Sequence, residues 1–348
     1  MTTMYNPNIV DWARQSDPDG SPAIIAELLS QCNAILKDSI HKPGNLPLGH
    51  KVTVRTGLPQ GTWRQANQGV VANKGTTAQI QFGISELMAY GKVDKSIAEL
   101  NGDVGKFRFN QDMATIEGLS QQMASALFYS SEAANPTQFN GLSYFYSTVS
   151  TSTAQIAENV LDMGGTGSAN ASLWLVGWGD RSTYNLFPKG SPAGLQYEDK
   201  GDLRELFDAN GNPFEGYTSV FKWKTGLAVE DWRFNVRMAN IDTTTAGLQG
   251  VTPPDLFAGM AKAVLRLPNT DARINGITET DAPGDPVHGN NFVFYCNRTV
   301  REYLDIQAIR DKNVLIGPSE YAGKSIMEFR GVPIKVVDAL TNAEARVV

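Results

Sequence analysis

Apolar residues recur at steps of three and four from residue 109 to residue 135, which is the spacing of one face of an amphipathic helix. The residues of this stripe are Phe109, Met113, Ile116, Leu119, Met123 and Leu127. Asn110 is a suitable N-cap, and Asn135 followed by Pro136 blocks continuation of the helix. The pattern predicts a helix of about 25 residues, roughly 35–40 Å long, which we call the spine helix. Its small residues indicate that a sheet or another subunit packs closely there, although an ordinary core helix gives the same pattern: Ala114, Gly118, Ala124 and Ala126.

Shorter stretches predict the other elements. Helical periodicity recurs at residues 22–36, 86–101, 254–266 and 298–309. Strand patterns, bounded by turn residues, occur at residues 51–56, 62–65, 79–84, 173–178, 220–229, 232–238, 290–297, 326–329 and 332–337. The run at 173–178 is continuously apolar, which is typical of a strand buried on both faces. Residues 189–217 are rich in Gly, Pro and charge, and are predicted to form a loop or a weak hairpin.

Residues 45–85 have the pattern of one long hairpin, because the polar, glycine-rich stretch 65–77 separates two strand segments. A two-stranded ribbon of this length buries too little apolar surface to be stable alone. We therefore expect it to pack on something, and a neighbouring subunit is an obvious candidate. The polar residues 1–21 and the helix that follows are suited to lie on a neighbour, or equally to be a frayed terminus and an ordinary helix.

Composition places the chain among globular proteins: of 348 residues, 41% are hydrophobic and 19% charged. The 33 Gly and 17 Pro favour turns and strands over a helical bundle. A net charge of −6 argues against general affinity for nucleic acid. Cys32 and Cys296 fit free thiols in a reducing compartment, with a disulfide between them left open. Without a secretory signal or an apolar stretch of roughly 20 residues, we expect a soluble protein made in the cytoplasm.

No motif assigns catalytic chemistry. The three histidines, His41, His50 and His288, lack the spacing of zinc ligands, so we expect no metal and no cofactor. Residues 208–219 resemble a calcium loop but have Pro213 and Ser219 where the turn glycine and the bidentate glutamate are needed. Four clustered acids are more typical of a solvated surface than of a catalytic pair: Glu198, Asp199, Asp202 and Glu205.

The order of parts resembles the major capsid protein of tailed double-stranded DNA bacteriophages, which has the Hong Kong 97-type fold. That order is arm, helix, glycine-tipped hairpin, long helix, mixed module and closing strand pair. The closing FRGVPIKVVDAL at 329–340 is similar to the ending of that family. Two internal stretches, WLVGWGDRSTYNLFPKGSPAGL at 174–195 and FKWKTGLAVEDWRFNVRMANID at 221–242, also resemble phage capsid subunits.

The resemblance implies an α+β fold with four parts. These are an N-terminal arm and short helix (1–44), an extended β-hairpin loop (45–85), a peripheral domain (86–165 and 326–348) with the spine helix, and an axial domain (166–325). The axial domain has a mixed central sheet and an inserted hairpin region at about 181–232. At inter-subunit contacts we expect Trp63 and Arg64 in the hairpin, Lys74 at its tip, and the spine face. Lys74 lies beside Asn73, but no matching motif predicts a covalent crosslink.

The function implied is a non-enzymatic protein of the virion that self-assembles into pentamers and hexamers of an icosahedral shell around double-stranded DNA. The partners implied are other copies of the chain, a separate scaffold protein, a portal, a decoration protein and DNA bound without sequence specificity, with assembly in the host bacterial cytoplasm and no membrane. One alternative is a mixed α/β enzyme or carbohydrate-binding protein whose aromatic platform is Trp174, Trp178, Trp223 and Trp232. Another is an encapsulin compartment, which shares the fold but holds cargo enzymes.

Overall fold

A computed structural model describes residues 31–100, 103–201, 204–207, 211–248, 253–268, 291–310, 316–321 and 324–348. Its helices are α1 (Ile35–Asp38), α2 (Lys95–Ala98), α3 (Val104–Tyr129), α4 (Leu142–Phe145), α5 (Thr245–Leu248), α6 (Leu256–Leu265) and α7 (Arg298–Arg310), with 3-10 turns at Gln155–Asn159 and Trp232–Phe234. The first strands are β1 (His41–Pro43), β2 (Gly49–Gly57), β3 (Thr76–Gly83), β4 (Ser85–Asp94), β5 (Val160–Asp162), β6 (Asn170–Trp178), β7 (Thr183–Phe187) and β8 (Leu195–Asp199). The remaining strands are β9 (Arg204–Phe207), β10 (Pro213–Val229), β11 (Asn235–Asp242), β12 (Asn291–Cys296), β13 (Ile316–Tyr321), β14 (Lys324–Phe329) and β15 (Val332–Val336).

Strand β6 forms the centre of a mixed sheet, as its continuous apolar run predicts. Every residue of β6 is buried, with β11 antiparallel on one side and β12 antiparallel on the other. Side chains alternate between the two faces: Leu173 and Leu175 pack in the core with α6 and α7, whereas Trp174 and Val176 pack in the core with the spine helix. Strand β15 adds to β12 in parallel, so the sheet contains both orientations and the α+β prediction is confirmed.

The sheet continues through β7 into a peripheral part built on β10, which is 17 residues long; we call this part the peripheral sheet. The last residues of β10 pair with β7, and its earlier residues pair with β4 on one edge and with β8 and β9 on the other. The prediction of a loop or weak hairpin at 189–217 therefore missed two strands and the start of a third. The short predicted strand at 62–65 does not form.

The predicted helix at 86–101 is wrong over most of its length, since residues 85–94 form β4. Exposure along β4 alternates with period two, with Leu87 and Ala89 turned inward and Met88 and Tyr90 outward. Pairing with β10 over ten residues of register outweighs the local preference for helix. Only α2 at its end is helical.

The spine helix is α3, which has 26 residues and begins earlier than predicted. The Asp103 carboxylate caps it by accepting from the Lys106 amide at 3.0 Å, so Asn110 is not the cap. It ends at Tyr129 instead of 135, because Ser130 turns into extended backbone. Starting at 104 brings Phe107 into the core at 4% exposure, while Phe109 at 63% and Met113 at 50% remain outside.

The closing strands lie in the central sheet and not beside the N-terminal half of the spine helix. Strands β14 and β15 join at a tight turn where Arg330 and Gly331 have φ of 50° and 75°. Strand β15 pairs with β12 of the central sheet, whereas the first half of β10 pairs with β4 in the peripheral sheet. The closing strands therefore lie apart from the peripheral sheet. Of the helix predicted at 22–36, the part before residue 31 lies outside the described residues.

Candidate assembly surfaces

The hairpin is a two-stranded ribbon formed by β2 and β3, paired from Gly49↔Gly83 to Gly57↔Thr76. Nine residues at about 3.3 Å each give the ribbon a length of roughly 30 Å. Every residue from 58 to 81 is exposed. Within the described chain, this segment therefore contributes almost nothing to a core.

The tip carries all three residues predicted to contact a neighbour. Trp63 is fully exposed, at 101%, and Arg64 and Lys74 are exposed as well. Arg64 donates to the Gln68 carbonyl at 3.0 Å, and Asn73 donates to the Gln60 carbonyl at 2.9 Å, so the tip has a defined shape. Further apolar side chains are exposed on the same tip: Leu58, Val70 and Val71.

The base of the hairpin is anchored by a small apolar joint. Val52 and Phe82 pack with Tyr184, Leu186 and Ala228, which lie on β7 and β10. The strands cross closely where Gly226 passes Gly83, since a Cβ on Gly226 would lie 2.2 Å from the Gly83 carbonyl oxygen. The hairpin is therefore fixed at its base, and no other described part of the chain packs on it beyond residue 57.

His50 lies at the same joint, with its ring 5.9 Å from that of Tyr184. Burial, helped by the positive charge of Lys42, lowers the pKa of His50. At neutral pH the ring is accordingly an uncharged part of the anchor.

The spine helix has a packed face and an open face in its N-terminal half. On the packed face Arg108 pairs with Asp199 of β8 at 2.8 Å, and Ser219 of β10 donates to Asp112 at 3.1 Å. The hydrogen bond from Arg108 lowers the pKa of Asp199, whereas burial raises the pKa of Asp112. The open face consists of Phe109, Met113, Ala114 and Gly118.

Charge is separated between two segments of the chain, a signal in the sequence that the predictions above did not use. Residues 45–85 carry four basic side chains and no acidic one. Residues 109–180 carry six acidic side chains and no Lys or Arg. The basic segment is the hairpin, and the acidic segment contains most of the spine helix and the loop after it.

The C-terminal residues form a buried clasp, which sequence reasoning missed. Glu344 pairs with Arg237 at 2.9 Å, both side chains being 5% exposed. It also accepts from Tyr129 at 2.6 Å and from Ser172. Burial and the neighbouring carboxylate raise the pKa of Tyr129 well above its ordinary value, so its hydroxyl remains a donor. Asn240 fixes the residues after Glu344, because its side chain donates to the Val347 carbonyl at 2.8 Å and accepts from the Val347 amide.

The tryptophans and cysteines that were candidates for ligand binding or a disulfide form neither in the structure. Trp174 and Trp178 are fully buried in the core, so they do not form an aromatic platform. Cys32 is exposed and Cys296 is buried, both as free thiols; burial raises the pKa of Cys296 to about 12. His288 and the first residues of the calcium-like loop lie outside the described residues.

Two further searches cover only the part of the chain that the structure describes. There, no group of three or more His, Cys, Asp or Glu is placed to hold a metal ion. In the same residues, no helix is both long and apolar enough to cross a bilayer.

Comparison with known proteins identifies the family. A family model described as major capsid protein GP7 matches residues 17–348. The chain belongs to this family. It is therefore a structural protein of the virion capsid that assembles into a shell with copies of itself, and it is not an enzyme.

One solved structure agrees with that membership. A chain of the near-atomic-resolution structure of bacteriophage Epsilon15 is 30% identical, with a TM-score of 0.74 and coverage of 100% of this chain and 99% of that chain. The bacteriophage JBD30 capsid is 10% identical, with a TM-score of 0.47 and coverage of 90% and 92%. Among curated protein sequences, none is significantly similar to this chain.

Proposed function

We propose that the hairpin is the element by which one capsid subunit holds the next, with Trp63, Arg64 and Lys74 at the contact. One observation carries this proposal: residues 58–81 are all exposed on a ribbon whose anchor, among the residues that the structure describes, is the joint at its base. Such a ribbon buries too little apolar surface to be stable unless its tip packs on a partner. In a capsid, that partner is another copy of the chain.

The spine helix and the sheet form the body of the subunit, and the hairpin extends from that body. The spine helix joins the central sheet to the peripheral sheet, since its C-terminal half packs with Trp174 and its N-terminal half pairs with Asp199. Strand pairing favours revised domain limits. In these, β4, β8, β9 and the first half of β10 belong with the peripheral domain, and β14 and β15 belong with the axial domain.

The assembly so formed is a set of pentamers and hexamers that closes an icosahedral shell around double-stranded DNA. A separate scaffold protein, a portal and a decoration protein are the partners that such a shell uses. The net charge of −6 supports packaging of DNA without tight binding to the subunit surface.

The test is deletion of residues 68–76 at the hairpin tip, examined by electron microscopy of protein expressed alone and beside its genomic neighbours. We expect a folded subunit that fails to close shells, because the deleted residues contribute no core within the subunit. The control is Leu265→Ala, which changes an exposed side chain on α6, a helix that packs in a different core cluster from the hairpin base. We expect this control variant to form normal shells. Normal particles from the deletion variant refute the role of the hairpin.

A further inference from the structure

The first described residues of the chain lie alongside the spine helix. Helix α1 packs against the spine helix, and Ile35 of α1 lies in the same core cluster as Met123. Closer to the N-terminus of the chain, the Gln31 amide donates to the Glu117 carboxylate at 3.0 Å. From residue 35 back to residue 31, the chain therefore runs along the spine helix towards the N-terminal end of that helix.

The place where the described chain begins is fixed by the body of the subunit. The Cys32 amide donates to the Asp338 carboxylate at 2.8 Å, and Asn33 forms a β-bridge with Val337. Asp338 is held in turn by Arg298, whose guanidinium lies 2.6 Å from the carboxylate. Residues 1–30 lie outside the described chain, and their covalent connection to it is therefore beside Glu117.

The open face of the spine helix continues from Glu117 as an exposed stripe. Met113 and Phe109 precede Glu117 by four and eight positions, so the three side chains share one side of the helix. They lie about 6 Å and about 12 Å from Glu117 along the helix axis. Met113 is 50% exposed and Phe109 63%, and the exposed Lys106 lies at the end of the same stripe.

The sequence before residue 31 complements that stripe in order and in charge. Apolar residues recur there at steps of three and four: Ile24, Ile25, Leu28 and Leu29. Asp17 and Asp19 come before them, and residues 15–30 contain no Lys or Arg. At a helical rise, Leu28 lies about 5 Å and Asp19 about 18 Å from residue 31, which match the positions of Met113 and Lys106 relative to Glu117.

We propose that residues 22–30 cover the open face of the spine helix of their own subunit, with Leu28 on Met113, Ile24 on Phe109 and Asp19 near Lys106. The own chain is the occupant because its attachment beside Glu117 gives the segment a high effective concentration at this face. Residues 1–21 then leave the subunit at the N-terminal end of the spine helix, which borders the peripheral sheet. The hairpin takes no part in this contact, so the inference is independent of its proposed role.

The experiment is a disulfide test on the unassembled, full-length subunit in a Cys32→Ser background. With oxidised glutathione, Leu28→Cys with Met113→Cys is expected to form a disulfide within one chain, seen as faster migration in a non-reducing gel. The matched control is Leu28→Cys with Gln111→Cys. Position 111 is only about 3 Å from Met113 along the axis but about 160° around the helix, so no disulfide is expected there.

Hydrogen exchange of the unmodified subunit gives a second measurement that needs no substitution. We expect the amides of residues 24–29 to exchange roughly ten times more slowly, or slower still, than in a synthetic peptide of residues 17–30. Exchange at the rate of the peptide overturns the inference, and so does a Leu28/Met113 pair that forms no disulfide within the chain.

The same gel separates the other possible occupants of the open face. Covalent dimers from the Leu28/Met113 pair show that a second copy covers the face, which overturns the inference. Equal disulfide formation at positions 111 and 113 shows that the segment has no fixed place on the helix and overturns it as well. Because all these measurements use unassembled protein, they are unaffected if the deletion of residues 68–76 refutes the role of the hairpin.

Discussion

Replacing Glu344 by leucine is expected to destabilise the subunit strongly, although the residue lies only four positions from the last residue of the chain. Its carboxylate is the acceptor for Arg237, Tyr129 and Ser172, and both members of the ion pair are 5% exposed. Removal leaves the Arg237 charge buried. The guanidinium keeps the Tyr146 carbonyl at 2.8 Å and Ser172 at 3.0 Å, but neither neutralises it.

The magnitude follows from that geometry. Breaking a buried ion pair by removing one partner costs about 3–5 kcal/mol. We expect the lower part of that range, about 3 kcal/mol, because two hydrogen bonds to Arg237 remain. Replacing both charges, as in Arg237→Met with Glu344→Leu, is expected to cost less than the single change, since no unpaired charge is left in the core.

The assay is urea unfolding of the unassembled subunit, with the free energy extrapolated linearly for wild type, both single variants and the double variant. The double-mutant cycle isolates the coupling between the two charges. A loss under about 1 kcal/mol for Glu344→Leu, or a double variant whose loss equals the sum of the two single losses, contradicts the reasoning. If Glu344 acted only in assembly, the urea unfolding curve of the Glu344→Leu subunit would match that of wild type.

Three other expectations are simpler to test. Asp199→Asn is expected to lower the free energy of unfolding at pH 7, because the pKa of Asp199 is depressed in the folded state and its ionised form therefore stabilises that state. This stabilisation is fully present above the unfolded-state pKa of 3.8 and is lost as pH falls through the folded-state pKa. Urea unfolding at several pH values checks this dependence. Gly226→Ala is expected to cost about 1–3 kcal/mol by overpacking, whereas Gly83→Ala, whose Cβ meets nothing within 4 Å, is expected to cost less than about 1 kcal/mol. Thermal unfolding of the two variants checks this difference. Trp63→Ala leaves subunit stability within about 0.5 kcal/mol, since the side chain makes no core contact, but raises the concentration at which light scattering detects shells about tenfold, a change of about 1.4 kcal/mol.

The elements predicted with most success are those whose pattern is set by neighbours along the chain. The apolar run of β6, the β12–α7 unit and the inner positions Leu119, Met123 and Leu127 were all visible in the sequence. The same is true of the long hairpin. Each rests on a period of two or about 3.6 residues, which is a local property.

The misassigned elements depend on partners far along the chain. Residues 85–94 have both helical and strand features, and only pairing with β10, more than 120 positions later, makes them a strand. The outward position of Phe109 was likewise hidden, because an apolar residue at helical spacing looks the same whether a core or solvent faces it. The clasp joins Arg237 to Glu344 across 107 positions, and no local motif marks either residue.

The sequence by itself determined the family, the long helix, the exposed ribbon and the separation of charge between residues 45–85 and 109–180. The tertiary structure alone decided which strands pair, which half of the spine helix is covered, and that Glu344 pairs with Arg237 in the core. The physical reason is that periodicity and composition act over a few residues. Strand partners, buried ion pairs and grooves arise only when segments distant in the chain are brought together, and their free energy depends on that closure.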